Sequence, residues 1–156
     1  MPRQRLVDRI NYTVIVIALV VTAIDALSKV WARHALATHA VHVGGAIWLR
    51  VQYNSGISFS FNQSRALLTS IATVIVAIVV LVVGLRARRG LSTVGFGLLI
   101  GGGVANVIDR LTASPHQVTD FIALGSFPVF NLADVAITAG FITLLVAALT
   151  GEKLLA

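Results

Sequence analysis

The sequence predicts an all-α membrane protein: four transmembrane helices with a small extracytoplasmic β-layer formed by the two outer loops. Three observations predict it. Of 156 residues, 57% are apolar and 12% charged, against about 45–50% and a quarter in soluble domains; mean hydropathy is +0.92. The apolar residues gather in four runs near the roughly 20 residues needed to cross about 30 Å of hydrocarbon. The basic residues sit at the ends of those runs, so the net charge of +6 reads as membrane orientation rather than nucleic-acid binding. The chain has no cysteine, which excludes a disulfide framework, a thiol nucleophile and a thiolate metal site.

The first span covers about residues 12–31 and is interrupted late by Asp25 and Lys29. The second, about 66–85, carries no charge between Arg65 and Arg86. The third, about 91–108, is rich in glycine and ends at Asp109; within it Gly97 and Gly101 form the Gly-x-x-x-Gly spacing that lets helices approach closely. The fourth, about 135–150, begins just after Asp134. The four runs leave one membrane domain over residues 1–156 and no room for a separate soluble one. Between them, outer segments of about 32–65 and 109–134 mix β-branched and aromatic residues, as in Ala46 to Tyr53, Val118 to Ile122 and Phe127 to Phe130. These read as extended structure, with turn chemistry at Asn54-Ser55-Gly56 and Gly125-Ser126.

Arg3, Arg5 and Arg9 precede the first span, Arg86, Arg88 and Arg89 fill the second turn, and Lys153 follows the last span. The positive-inside rule puts all of them, and both termini, in the cytoplasm. The basic start and Ala35-Leu36-Ala37 also resemble a cleavable secretory signal. A dozen residues containing Asp25 and Lys29 separate the apolar core from that site, and this argues against cleavage.

A carboxylate at bilayer depth costs about 2.5–3.5 kcal/mol, so it usually has a functional reason. Asp8 and Glu152 are expected to be solvated flanks. Asp25, Asp109, Asp120 and Asp134 all lie toward the outer face. Asp109 closes the third span, Asp134 opens the fourth, and the 24 residues between them can loop back. Two carboxylates at one depth could share a proton, one accepting from water while the other donates to a carbonyl. They could equally be two helix-end residues reaching the headgroups, with Asp109 paired to Arg110. Asn106 and Asn131 each stand three residues before an aspartate, on the same helical face, and favour the first alternative.

Five motifs then appear in order: Asp25-Ala-Leu-Ser-Lys29, Asn54-Ser-Gly56-Ile-Ser-Phe-Ser60, Gly101-Gly-Gly…Asn106-Val-Ile-Asp109-Arg110, Val118-Thr-Asp120-Phe-Ile122 and Phe127-Pro-Val-Phe-Asn131-Leu-Ala133-Asp134. Together they resemble the lipoprotein signal peptidases (signal peptidase II), bacterial membrane aspartic peptidases. Ala105 departs from the family pattern, which usually has Gly there. The resemblance implies a catalytic pair of Asp109 and Asp134, with Asp25, Lys29, Asn54, Gly56, Asn106, Arg110, Asn131 and Ala133 shaping the site or positioning substrate. It implies cleavage of a prolipoprotein N-terminal to a diacylglyceryl cysteine, in the bacterial inner membrane, by a monomer needing no metal or other cofactor.

Bland roles stand beside these. Asp25 and Lys29, spaced i,i+4, could simply neutralise each other; Asn54 could serve its turn; Arg110 could anchor at the interface or bind lipid phosphate. Asp120 is expected to be structural, tying the outer layer to Arg110, and His34, His39 and His42 interfacial. A proton-coupled transporter would spread acidic groups through the bilayer depth, and the second and fourth spans carry none. A non-catalytic adaptor would have no need of two Asn-x-x-Asp elements.

Overall fold

The computed structural model describes residues 10–54, 63–112 and 117–155. Helix α1 (Tyr12–Ala35) is followed by strands β1 (Val41–Gly44) and β2 (Ile47–Asn54), helices α2 (Gln63–Gly84) and α3 (Leu91–Thr112), strand β3 (Val118–Leu124) and helix α4 (Leu132–Leu149). Helices α1, α3 and α4 are each long and apolar enough to cross a membrane; in α2 the described apolar stretch is the shorter Val74–Gly84. All four helices outrun their expected spans at one end, and in α1 and α4 polar groups complete the extension. α1 continues to Ala35 through Asp25, Lys29 and Arg33, whose charges find partners. α4 begins at Leu132, because Asn131 caps it.

Burial along α1 is inverted relative to a water-soluble helix. Leu19 and Leu27 are 64% and 71% exposed, whereas Asp25 and Lys29 are 1% exposed. A helix that turns leucines outward and a charge pair inward is built for lipid, with its polar groups facing the bundle. α3 is the central helix, in contact with α1, α2 and α4, and its glycines permit this. A Cβ at Gly101 would lie 2.6 Å from the Val21 Cβ, and one at Gly102 would lie 2.5 Å from the Ala133 carbonyl oxygen. The small-residue spacing thus seats α3 against α1 on one side and against the start of α4 on the other.

The outer layer is a three-stranded antiparallel sheet of order β1-β2-β3. β1 was not expected, although Gly44-Gly45 between apolar runs is a two-residue hairpin signal; Gly45 takes φ 54°, the left-handed conformation the turn requires. His42 stacks on Trp48 across this hairpin. β2 pairs with β3 from Ile47↔Leu124 to Asn54↔Val118, with a register shift between Leu49 and Gln52. Phe127 to Phe130 is not a full strand, and only an isolated bridge joins Phe130 to Ile122. Phe121 packs with Ala32 and Leu36, which fastens the sheet to the end of α1.

At the opposite end, Asn11 donates through its side chain to the Ala87 carbonyl and to Thr93 Oγ1. The Arg88 N–H donates to the Leu154 carbonyl. Glu152 remains reached by solvent but is more than a flank: its carboxylate accepts from the N–H groups of Leu91 and Ser92 and from the Ser92 hydroxyl. The first turn of a helix leaves its N–H groups without partners, and a carboxylate from a distant segment supplies them here.

Candidate active site

The C-terminal halves of α1 and α3, the end of β2, β3 and the start of α4 converge on one polar cluster. Asp25 and Lys29 lie one turn apart on α1 and pair at 2.7 Å. They do more than neutralise each other. Asp25 Oδ1 accepts the Ala133 N–H at 2.8 Å, and Lys29 Nζ donates to Asn106 Oδ1 at 2.9 Å. Lys29 also lies 3.5 Å from Asp109 Oδ2. The pair thus joins α1 to the start of α4 and the end of α3.

Asp134 sits in the first turn of α4, where the helix dipole favours a carboxylate. Asn131 Oδ1 accepts the Asp134 N–H, and Asp134 Oδ2 accepts the Asn131 N–H, a reciprocal cap. Asp134 Oδ1 accepts from Asn106 Nδ2 at 2.9 Å. The two asparagines three residues before the aspartates therefore meet in space, with Asn131 Nδ2 directed at Asn106 Oδ1 at 3.3 Å.

Asp120, expected to be structural, lies inside this cluster. Asn131 Nδ2 donates to its Oδ1 at 2.6 Å, and Asn54 Nδ2 to its Oδ2 at 3.0 Å. One residue, Asn131, therefore touches both Asp120 and Asp134. Burial pushes the Asp120 carboxyl up to about 6; the Asn54 hydrogen bond pulls it down, nearby Asp134 pushes it up, and Asn131 and Lys29 pull it down. Asp109 has different company. Its Oδ2 accepts the Thr119 N–H at 2.7 Å and lies near Lys29, and its Oδ1 is 3.4 Å from Arg33 Nη1. Arg110 lies within the electrostatic reach of Asp134, Asp120 and Asp109.

An apolar cleft of about 570 Å³ opens beside the cluster, with Asn54 and Asp134 at its polar end. Phe127, Pro128 and Phe130 of the outer layer line it, as do Val135, Thr138 and Ile142 of α4. The cleft therefore runs from Asp134 along a helix face that lies within a membrane-length span.

The profile of the family described as signal peptidase (SPase) II matches residues 17–150. The chain belongs to the signal peptidase II family. It is therefore a protease, and its apolar helices are those of a membrane protein. It is 34% identical to the lipoprotein signal peptidase of Rhodococcus jostii (strain RHA1), covering 96% of this chain and 79% of that one. Identity to the lipoprotein signal peptidase of Syntrophomonas wolfei subsp. wolfei is 33%, over 86% of this chain and 91% of that one. A bacterial membrane enzyme solved by the in meso method at 2.3 Å has a similar fold, with a TM-score of 0.76, 26% identity and 88% coverage of each chain.

Of the site residues expected for this signal peptidase II relative, Asp25, Lys29, Asn54, Asn106, Asp109, Arg110, Asn131, Ala133 and Asp134 gather at this cluster. Gly56 lies outside the described residues. Arg33 and Thr119 join the cluster without having been expected. Arg33 could have been found, since it extends the Asp25–Lys29 stripe by another four residues on the same helical face. Thr119 contributes both its N–H, to Asp109, and its hydroxyl, to Arg33, partners that are distant in sequence.

Proposed function

We propose that this chain is an aspartic endopeptidase that removes the signal peptide from diacylglyceryl-modified prolipoproteins, cutting N-terminal to the lipidated cysteine. The observation that carries the reading is a pair of carboxylates bridged by one asparagine, with one of the two, Asp134, lining the polar end of an apolar cleft. The cleft suits a substrate whose lipid and signal segment stay in the bilayer, while the scissile bond meets water at the outer face. The family places lipoprotein maturation within reach of this site, and the relatives are named lipoprotein signal peptidases.

The sequence pairs Asp109 with Asp134; the hydrogen bonding favours Asp120 as the partner instead. Asp109 faces two cations and a backbone amide, contacts that fix its orientation and tie it to α1 and β3. Asp120 is buried, poised near 6, feels Asp134 and shares Asn131 with it. In the proposed reaction the ionised member of the pair takes a proton from water, whose oxygen bonds to the scissile carbonyl carbon. The protonated member donates to the carbonyl oxygen. Collapse of the tetrahedral intermediate breaks the C–N bond: the leaving amine takes the proton from one member of the pair, and a hydroxyl of the intermediate returns one to the other, which restores the singly protonated pair. The proton belongs to the coupled pair rather than to either residue.

Four spans, with α2 as the remaining crossing, place both termini in the cytoplasm and the sheet outside the bacterial inner membrane. A monomer contains every residue that the reaction uses. The deciding experiment incubates purified protein with a diacylated prolipoprotein and with its unlipidated form. Cleavage of the lipidated substrate alone is expected; cleavage of neither overturns the reading.

A further inference from the structure

Arg33 lies one turn beyond Lys29 on α1, with its side chain 36% exposed. Its Nη1 donates to Thr119 Oγ1 at 2.9 Å and approaches Asp109 Oδ1 at 3.4 Å. Thr119 is gripped a second time, since its N–H donates to Asp109 Oδ2. This threonine is 1% exposed and immediately precedes Asp120 in β3. The ends of α1 and α3 thus clamp β3 one residue away from a carboxylate of the proposed pair. Lys29 also reaches Asp109 at 3.5 Å, but its closer partner is Asp25 at 2.7 Å, so Arg33 completes the charge balance there. Arg33 also links that carboxylate to the strand.

We propose that Arg33 is a positioning residue: with Asp109 it clamps Thr119, and so holds β3 where Asp120 can work with Asp134. The proposal rests on the reading of Asp120 as a member of the pair. A loosened clamp lets Asp120 shift and gain water, and a displacement of about 1 Å at a reacting group can cost on the order of 10²-fold in rate. The effect belongs to turnover rather than to substrate affinity, because Arg33 does not line the cleft.

The test measures cleavage of a diacylated prolipoprotein by the full chain in detergent, with thermal melting of every variant. Arg33→Met is expected to lower kcat by about 10- to 100-fold while KM stays within about threefold. Thr119→Val removes the acceptor for Arg33 but keeps the backbone N–H and Asp109; it should reproduce much of that loss, and Thr119→Ser should restore the rate. The double variant Arg33→Met/Thr119→Val should be little worse than Arg33→Met alone, since both break one clamp. The acid limb of kcat/KM should move down toward the ordinary carboxylate range. Lys29 from α1, Arg110 from α3 and Asp134 from α4 face Asp120, and all three are unchanged in these variants.

Well-folded Arg33→Met and Thr119→Val proteins with parental kcat and pH profile would overturn the proposal. So would losses that multiply in the double variant, or a loss confined to the melting temperature. Asp120→Asn separates the two levels. If it is inactive while Arg33→Met is fully active, only the role of Arg33 fails. If Asp120→Asn cleaves at the parental rate, the reading of the pair fails with it.

Discussion

Asp109, Asp120 and Asp134 share one side-chain type, and their neighbours separate their roles. Asp134→Asn and Asp120→Asn should each lower cleavage by about 10³-fold or more while the protein stays folded, because an amide cannot exchange the proton the reaction moves. Asp109→Asn should leave measurable turnover but lower the melting temperature, since it removes the carboxylate that faces Arg33 and leaves Lys29 with Asp25 alone. An inactive, well-folded Asp109→Asn beside an active Asp120→Asn would restore the Asp109–Asp134 pairing. The pH dependence of stability gives a second handle on Asp120. Its folded pKa, about 6, lies above the usual 3.8. The stability it contributes is therefore fully present below that usual value and lost as the pH rises through 6. Melting curves of Asp120→Asn and its parent should accordingly differ in the variant's favour above pH 6, and that difference should shrink below pH 4.

Helix ends are the elements on which the site and the opposite face both depend. α4 starts at its observed position because Asn131 and Asp134 exchange hydrogen bonds with each other's backbone, and the same two side chains build the site. α3 starts with a carboxylate supplied from 60 residues away, Glu152 to Ser92. The hydrogen bonds from Ser92 hold the Glu152 carboxyl below its usual range, with the Leu91 N–H and Arg88 adding to the effect. Its contribution is thus present at neutral pH and is lost as the pH falls through that lowered value. Glu152→Gln should lower the melting temperature at pH 7 by a few degrees and leave kcat unchanged, because the cap is at the opposite end from the cleft. In the middle of α3, Gly102→Ala would place a methyl 2.5 Å from the Ala133 carbonyl oxygen. Pushing α3 from α4 should cost about 1–3 kcal/mol and disturb Asp134, so both melting and turnover are expected to fall.

Over the whole molecule, the start of α1, the turn carrying Arg86, Arg88 and Arg89, and the segment around Glu152 lie at one end. The sheet and the carboxylates lie at the other. In the proposed orientation the positive-inside rule holds the arginines in the cytoplasm and the cleft faces outward. Single cysteines placed in this cysteine-free chain test it directly: an impermeant reagent added to intact cells should label position 42 and spare position 88. Labelling at 88 would invert the orientation.

Composition, run length and arginine placement by themselves determined a membrane bundle with an outer layer, because lipid leaves few alternatives for a chain this apolar. Motif order likewise determined the family and most members of the cluster, since Asn-x-x-Asp spacing and the Asp25–Lys29 step are local geometry on a helix. Other features were decided only by tertiary structure. Glu152 has no neighbour in sequence that announces a cap, and Thr119 meets Asp109 and Arg33 only once the ends of α3 and α1 are brought to β3. Above all, the sequence puts Asp109 and Asp120 on either side of one loop and gives no measure of which will be neutralised. That outcome depends on where α1 sets Lys29 and Arg33, and on which carboxylate Asn131 reaches. A carboxylate's chemistry is set by the charges and donors within a few Å of it, and those come from segments that only folding brings together.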